Sequence, residues 1–340
     1  MDDQEFTDLI PGLPEELALE CLTRLHYSAH GVSSSVCRRW RSLLQSTDFY
    51  YHRKQSGFTR KAACLVQSLP TQSESKPSGP PRYGLTLFDP AALSWERVDP
   101  VPKYPDGLPL FCQVVSTEGK LVLMGGWAPS SWEPVRDVFV YEFTTRAWTQ
   151  CADMPSTRSF FAIGAFGGRV FVAGGHDESK NALSSAWVFD VKRNEWSELT
   201  RMSEERDECE GVVVGSEFWV VSGYGTETQG AFKSSAEVYD IGSGQWRRVE
   251  DAWRVSRCPR SSVGVANGNS LVCWAEADSA VRVGACVVDL GDPILVTGSA
   301  YQGAPIGFYL MEGQKGKLAK VEVPDEYAAG LVQSGCCVEI

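Results

Sequence analysis

Few side chains in this sequence are of the types that carry out acid–base or metal chemistry. The chain of 340 residues contains four histidines, and three of them lie within the first 52 residues. His176 is followed by Asp177 and Glu178, but a copper site needs several converging imidazoles, which one histidine cannot supply. Phosphate loops, hydrolase elbows and HExxH helices are also missing from the sequence. We therefore predict no catalytic residue, no metal and no cofactor, and we interpret the triplet as a hydrogen-bonded loop.

Charge and cysteine content narrow the choice of partners and compartment. The formal net charge is −11 and the pI about 5.0, which argues against a nucleic-acid partner. The basic cluster within residues 38–54 does not change this, because residues 2–20 carry seven carboxylates. No apolar run reaches 18 residues, so no membrane partner is predicted, and the acidic start lacks a secretory signal. The 11 cysteines show neither CxxC nor zinc-ligand spacing, which predicts reduced thiols in the cytoplasm and/or nucleus.

A cassette of about 49 residues repeats through most of the chain. The glycines Gly125, Gly174 and Gly223 end apolar runs and are 49 residues apart. In each copy, and once more upstream without the glycines, an aromatic residue precedes a tryptophan by seven positions: Phe88/Trp95, Tyr141/Trp148, Phe189/Trp196 and Tyr239/Trp246. Each copy holds four short apolar runs bounded by turn residues, which predicts a four-stranded antiparallel sheet. One such sheet cannot bury both faces, so the copies should stack in a ring as an all-β propeller, with the aromatic pairs between blades.

The two ends of the repeat region are irregular. Residues 61–99 supply three strands, and residues 330–340 should be the closing strand that completes this blade. Between the first two of these three strands, the Ser- and Pro-rich segment 71–82 has no apolar residue and is predicted to be a disordered loop. Residues 261–324 are too few for two full blades. We therefore favour six blades with one thin blade, and keep five as the alternative.

Propeller topology selects one face as the binding surface. If the strands of a blade are lettered a to d, the long b–c loops and the d–a connections lie on the same face, whereas the short a–b and c–d turns lie on the other. Exposed aromatic and charged residues on loops of a rigid scaffold are the default binding surface. For each of them, solvation or a blade-to-blade hydrogen bond is the alternative. The predicted face comprises Trp127, Trp132, Arg158, His176, Asp177, Glu178, Arg206, Asp207, Tyr224 and Glu227.

The first 60 residues have helical rather than strand periodicity. Apolar residues recur at 13, 17, 21, 22 and 25, and again at 32, 36, 40, 43 and 44. Pro14 suits a first helical position, and Glu15 and Glu16 suit the positive end of the helix dipole. So small a unit cannot bury all this apolar surface, which predicts either a partner surface or a cap on the propeller.

The order of these residues resembles two known motifs. Leu13-Pro14-Glu-Glu-Leu17, Cys21-Leu22-Thr-Arg24-Leu25 and the segment from Val36 to Leu44 resemble an F-box, and the glycine and aromatic–Trp pattern resembles kelch repeats. Together they resemble plant F-box/kelch-repeat proteins, with residues 1–60 as the F-box-like helical unit and 61–340 as the propeller. In that family the F-box docks onto the Skp-type adaptor of a cullin-based ubiquitin ligase. The resemblance implies that the adaptor contact is formed or supported by Leu13, Pro14, Leu17, Leu22, Val36, Cys37 and Trp40.

The resemblance also implies a function. The chain would be a non-catalytic substrate receptor of an SCF-type (Skp–cullin–F-box) ubiquitin ligase, whose propeller captures a target for ubiquitination and proteasomal degradation. The nearest resemblance is to receptors that target phenylalanine ammonia-lyase, a phenylpropanoid enzyme, or type-B response regulators of cytokinin signalling. Two alternatives remain at this point: a kelch-type metal-dependent enzyme or specifier protein, and an F-box scaffold that does not promote degradation.

Overall fold

The fold is described from a computed structural model. It describes residues 8–70, 81–253, 258–266, 270–273, 281, 283–311, 317–328 and 330–340. The predicted disordered loop 71–82 therefore lies outside the described residues, apart from residues 81 and 82.

The described helices belong mainly to the amino-terminal unit, as the sequence predicted. Short 3₁₀ turns occur at Tyr27–Ala29 and Thr226–Thr228. The α-helices are α1 (Glu15–Thr23), α2 (His30–Ser34), α3 (Arg38–Leu44), α4 (Thr47–Gln55) and, far along the chain, α5 (Asp325–Ala328).

The strands follow in the order that the repeat predicts. They are β1 (Lys61–Ser68), β2 (Tyr83–Asp89), β3 (Ser94–Arg97), β4 (Gln113–Thr117), β5 (Lys120–Met124), β6 (Val138–Glu142), β7 (Ala147–Gln150), β8 (Ala162–Phe166), β9 (Arg169–Ala173), β10 (Ala186–Asp190), β11 (Glu195–Glu198), β12 (Glu210–Val214), β13 (Glu217–Val221), β14 (Ala236–Asp240), β15 (Gln245–Val249), β16 (Val263–Ala266), β17 (Ser270–Cys273), β18 (Val283–Asp289), β19 (Ile294–Ser299), β20 (Gly307–Met311), β21 (Leu318–Lys320) and β22 (Val332–Glu339).

These strands form a β-propeller. Five antiparallel sheets have four strands each: blade 1 (β22-β1-β2-β3), blade 2 (β4–β7), blade 3 (β8–β11), blade 4 (β12–β15) and blade 5 (β18–β21). The two-stranded sheet β16-β17, called the thin sheet below, lies in the ring between blades 4 and 5. The innermost strands β22, β4, β8, β12, β16 and β18 contact one another in that order around the ring. The described residues thus form five complete blades and one thin unit, which is where the sequence was too short for a full blade.

The ring is closed by the carboxy-terminal strand. β22 pairs antiparallel with β1, and Cys64 lies directly opposite Cys336. The blade with only three strands in the first part of the chain is therefore completed by residues from its far end. This arrangement leaves no open sheet edge at the junction.

The aromatic–tryptophan pairs are built into the blade joints. Tyr141 lies opposite Trp148 and Phe189 opposite Trp196 on neighbouring strands, with ring centroids 5.0 Å apart in both pairs. The Trp196 indole N–H donates to the Ala152 carbonyl of the preceding blade at 3.0 Å. Trp148 and Trp246 donate to the preceding connection in the same way. The tryptophan that recurs in each repeat therefore links its blade to the preceding one by an indole hydrogen bond.

The glycine spacing needs one correction. In blades 2 and 3 the first glycine of the pair is Gly125 or Gly174. The backbone N–H of each donates to the carbonyl of the residue that precedes strand c, and both glycines have positive φ. In blade 4 the residue with that bond and a φ of 60° is Ser222, not Gly223. The third copy is therefore aligned one residue earlier than the spacing of 49 suggested. A glycine search cannot find this position because serine occupies it.

The helical unit packs against the propeller face that carries the a–b and c–d turns. The Ser34 hydroxyl contacts the Thr144 carbonyl at 3.0 Å, and the Tyr51 hydroxyl contacts Glu118 at 3.0 Å. Lys54 forms an ion pair with Glu339 at 2.7 Å, at the end of the closing strand. The b–c loops thus lie on the opposite face of the ring from the helices.

Candidate functional site

The helical unit exposes an apolar surface, called the helical patch below. Leu17 and Val36 are 55% and 61% exposed, and Leu13, Pro14 and Cys37 are exposed as well. Val32 is 74% exposed, and sequence reasoning did not assign it to the contact although it belongs to the same helical stripe. Apolar side chains this exposed and this close in sequence are typical of a protein interaction surface.

Two of the residues predicted for this contact have supporting positions. Leu22 is buried in the small core of the unit, together with Ala18 of the same helix and with Leu44 and Phe49. Trp40 packs against that core, and its indole N–H donates to the Leu9 carbonyl at 2.7 Å. These side chains hold together the helices that carry the helical patch, and their part in an adaptor contact stays a prediction.

A buried arginine stabilises the loop between the helices. The Arg53 guanidinium donates to the carbonyls of Thr23, Leu25 and Phe58 at 2.9–3.1 Å. Burial lowers the pKa of Arg53 to about 10. This member of the basic cluster therefore serves the fold rather than offering a charge to solvent.

On the opposite face, the residues predicted for target binding divide by exposure. Trp132 is 53% exposed and has a φ of 60°. Glu178 and Glu227 are exposed, while Trp127 and Asp177 are partly exposed. These five side chains are available to a partner, and their role as contacts remains a prediction.

Two predicted contact residues, Arg158 and Arg206, are instead buried in equivalent positions. The Arg158 guanidinium donates to the carbonyls of Gly174 and Ser185 at 3.0 and 3.2 Å. Arg206 has the same arrangement in the next blade, and its guanidinium also forms an ion pair with the buried Glu237 at 3.3 Å. Both side chains use their donors on the backbone at the base of a b–c loop, which is the structural alternative that the sequence left open.

Several of the predicted residues fasten a b–c loop to a neighbouring d–a connection. The imidazole Nδ1 of His176 lies 2.9 Å from a carboxylate oxygen of Asp207, and both side chains are buried. The Trp127 indole N–H donates to the Ser159 hydroxyl at 2.7 Å. Tyr224 is buried as well, and its backbone N–H bonds the Asp207 carbonyl. The loops are therefore held at their bases while their tips stay exposed.

Asp177 shapes the tip of one loop. Its carboxylate accepts hydrogen bonds from the backbone N–H groups of Ser179 and Asn181 and from the Asn181 amide. Desolvation acts in the opposite direction, but these hydrogen bonds lower the pKa of the Asp177 carboxyl below its usual value. The turn leaves Glu178 exposed at the tip.

A cavity of about 130 Å³ occupies the centre of the ring. All six sheets contribute to its wall, and Glu210 and Arg260 are its charged residues. At its mouth, on the b–c loop side, the rings of Phe111 and Phe160 lie 5.0 Å apart. Sequence reasoning did not assign the two phenylalanines, because nothing in a single repeat shows that side chains from different blades meet at the axis.

The described residues offer neither a metal site nor a membrane-spanning helix. Within the described ranges, no group of three or more His, Cys, Asp or Glu side chains is placed to hold a metal ion. None of the helices among those residues is long and apolar enough to cross a membrane.

Comparison with known proteins gives two family matches. The model for the F-box domain matches residues 10–52, and the model described as KLHDC2/KLHL20/DRC7 Kelch-repeats domain matches residues 73–273. The chain is 41% identical to the F-box/kelch-repeat protein At2g44130 of Arabidopsis thaliana, over 82% of this chain and 74% of that protein. It is 34% identical to the F-box/kelch-repeat protein At1g15670 of the same plant, over 98% of this chain and 100% of that protein.

Proposed function

Because this chain belongs to the F-box/kelch-repeat family, we propose that it is a substrate-recognition subunit of an SCF-type ubiquitin ligase. The helical patch docks onto the Skp-type adaptor, and the adaptor joins the chain to a cullin. The propeller binds a target protein with its b–c loop face. The chain itself is non-catalytic and acts by raising the effective concentration of the target near the charged ubiquitin-conjugating enzyme.

One observation supports this proposal above the others: the helical patch and the b–c loops lie on opposite sides of the molecule. The helices use Ser34, Tyr51 and Lys54 to hold the turn face of the propeller, and these residues are separate from Leu17 and Val36 of the helical patch. A cap would bury its apolar surface against the propeller, whereas this unit keeps that surface exposed. Both sides can therefore be occupied at once, as a bridging receptor requires.

The compartment and the target are parts of the same proposal. We place the chain in the cytoplasm and/or nucleus, because the ten described cysteines form no disulfide with one another and reduced thiols are typical of those compartments. The targets to test are those implied by the resemblance, phenylalanine ammonia-lyase and a type-B response regulator. The names of the relatives specify no target.

The decisive experiment is affinity purification from plant cells under proteasome inhibition. We would compare the wild type with Leu17→Asp/Val36→Asp, which places two carboxylates in the helical patch. The matched control is Leu93→Asp, because Leu93 is an apolar residue of similar exposure, 62%, in a propeller turn. We expect adaptor and cullin to co-purify with the wild type and the control and to be lost from the double variant.

The alternatives give different results in the same experiment. Equal adaptor binding by the double variant, with an unchanged unfolding midpoint, would show that the helical patch is not the docking surface. Reconstitution with adaptor, cullin and each purified target then tests ubiquitination. A target that binds but is neither ubiquitinated nor stabilised by proteasome inhibition would identify a non-degradative scaffold.

A further inference from the structure

Two cysteines face each other at the place where the ring closes. Cys64 of β1 lies directly opposite Cys336 of β22, and both thiols are reduced. Among the strand pairings of the described residues, no other register places two cysteines opposite each other. A bond between these two sulfur atoms would join the first strand of the propeller to the last, about 270 residues further along the chain.

The register of the two strands permits such a bond. Arg60 and Ile340 exchange both backbone hydrogen bonds at 2.8 Å, and pairs of this kind recur at every second residue of an antiparallel ladder. The pair of Cys64 and Cys336, four residues further on, is therefore hydrogen-bonded too, which sets a Cα separation of about 5.5 Å. Disulfides span Cα separations of about 4.4–6.8 Å. The two side chains lie on the same face of the sheet, between blades 1 and 2, and their thiols are in hydrogen-bonding contact.

The central cavity gives a small oxidant access to this pair. Cys336 is partly exposed and lines the cavity of about 130 Å³, whereas Cys64 is fully buried. A cavity of this volume has room for about four water molecules, and a peroxide molecule is only slightly larger than water. A cysteine of a second chain cannot enter it. The pair is therefore placed to react with a peroxide and then with itself.

The state of the thiols sets the rate of that reaction. The contact with Cys64, together with burial, raises the pKa of the Cys336 thiol well above its ordinary value. Since the thiolate is the nucleophile, the pair stays reduced at rest and oxidises slowly. One thiolate attacks a peroxide oxygen, and the O–O bond breaks to give a sulfenic acid and water. The other thiolate attacks the sulfenic sulfur and releases a second water, so that two thiols and one peroxide give one disulfide and two waters. A dithiol reductant reverses the bond by exchange.

The strand that this bond would fix has two roles in the fold. It closes the ring, and its end also holds the helical unit: Lys54 of α4 forms an ion pair with Glu339 at 2.7 Å, and the Thr59 hydroxyl donates to the same carboxylate at 2.7 Å. A covalent link between β22 and β1 would keep both attachments in place, because it removes the unfolded conformations in which the two strands are far apart.

We propose that Cys64 and Cys336 form a reversible intramolecular disulfide when the chain meets a peroxide, and that this bond locks the closing strand onto blade 1. Disulfides of cytosolic proteins are usually transient and redox-sensing, which fits a bond that forms slowly and is reversed by a dithiol. The lock acts on the ring itself and is independent of what the propeller binds.

The test treats the dilute, reduced full chain with hydrogen peroxide and then maps its cysteines. Remaining thiols are alkylated, the chain is digested and the peptides are weighed by mass spectrometry. We expect a linked pair of peptides that contains Cys64 and Cys336 and is lighter by two hydrogen atoms than the separate peptides. The oxidised chain should have a urea midpoint at least about 0.5 M higher, because a cross-link over so long a loop restricts the unfolded chain strongly. Dithiothreitol should restore the original midpoint.

Two serine variants assign the effect to this pair. Cys336→Ser should lose both the linked peptides and the rise in midpoint. The matched control is Cys337→Ser, because Cys337 is the next residue of β22 but lies opposite Ala63 and packs on the other face of the sheet; it should keep both. The midpoint of each reduced variant is measured first and shows that it is folded; if Cys336→Ser does not fold, the peptide map of the wild type decides alone. No peptide linking Cys64 to Cys336 in the wild type, an unchanged or lower midpoint after oxidation, or a rise that persists in Cys336→Ser would each overturn the lock.

Discussion

Replacing the buried Arg206 should lower the free energy of unfolding more than most substitutions in the propeller. Its guanidinium donates to the carbonyls of Ser222 and Ser235 at 2.8 and 3.0 Å, to the Ser235 hydroxyl at 2.9 Å and to Glu237 at 3.3 Å. In Arg206→Met the apolar volume is largely kept, but two carbonyls and a buried carboxylate each lose one donor. Removing one partner of a buried ion pair lowers the free energy of unfolding by about 3–5 kcal/mol.

The other contacts of Glu237 place the expected loss near the lower limit. Its carboxylate still accepts the backbone N–H groups of Ser203 at 2.7 Å and Glu204 at 3.2 Å. A loss of about 3 kcal/mol corresponds to a urea midpoint roughly 1 M lower, for an m value of about 3 kcal/mol/M. Because Glu237→Gln removes the unpaired charge, Arg206→Met/Glu237→Gln should be more stable than the sum of the two single losses predicts, by at least about 1 kcal/mol.

Urea unfolding followed by tryptophan fluorescence measures these differences. The control is Arg247→Met, because Arg247 forms an exposed pair with Glu217 at 2.7 Å and should contribute about 1 kcal/mol or less. Target binding is measured in parallel. If Arg206→Met left the urea midpoint unchanged and abolished target binding, Arg206 would be a contact residue. Our assignment of its guanidinium to a structural role at the base of the b–c loop would then be refuted.

Three further predictions concern stability and use the same urea assay. Ser222→Gly should raise the free energy of unfolding by about 1 kcal/mol, because it relieves a left-handed serine whose buried hydroxyl has no partner within the described residues; a lower midpoint would contradict this reasoning. Burial, followed by the nearby Arg53 cation, lowers the pKa of His30 to about 4, so the unfolded chain binds a proton between pH 6.5 and 4 that the folded chain does not. The free energy of unfolding should therefore fall by about 2 kcal/mol at pH 5 relative to pH 7.5, and His30→Gln should remove that part of the fall, whereas an equal fall in the variant would exclude His30 as its source. Gly211→Ala should lower the free energy of unfolding by about 1–3 kcal/mol, because its Cβ would lie 2.3 Å from the Ile163 carbonyl oxygen of the neighbouring blade; Gly242→Ala, where the nearest atom is 3.4 Å away, should change little, and equal effects would refute the steric argument.

Much of the architecture was predictable from the sequence because each repeat reports its own local structure. The alternation of apolar and turn residues predicted four strands per copy. The repeated tryptophans marked strand d in blades 1 to 4. The partnership of the first three strands with residues 330–340 followed from counting strands. The blade joints were predictable because Trp196 and its equivalents must bury both a large ring and an N–H donor.

The candidate sites were predictable only as surfaces. Sequence placed Arg158 and Arg206 on the correct face but could not show that their side chains turn inward, because burial depends on carbonyls 16 to 29 residues further along the chain. Leu22 differs from Leu17 for a similar reason: both lie on α1, and packing against Leu44 of α3 and Phe49 of α4 decides which one is covered. The meeting of Phe111 with Phe160 at the mouth of the cavity depends on ring closure, which no single repeat encodes.

The closing strand has a consequence for how the chain acquires its fold. The β1–β22 pairing joins residues about 270 positions apart, as Cys64 and Cys336 show, and the loop-closure entropy exceeds that of a ten-residue hairpin by about 3 kcal/mol. During synthesis β22 emerges from the ribosome after every other described strand, whereas the helical unit emerges first. The adaptor-binding surface can therefore form on a nascent chain whose ring is still open. A product that stops before residue 330 would retain the helical patch, compete for adaptor and lack a sealed propeller.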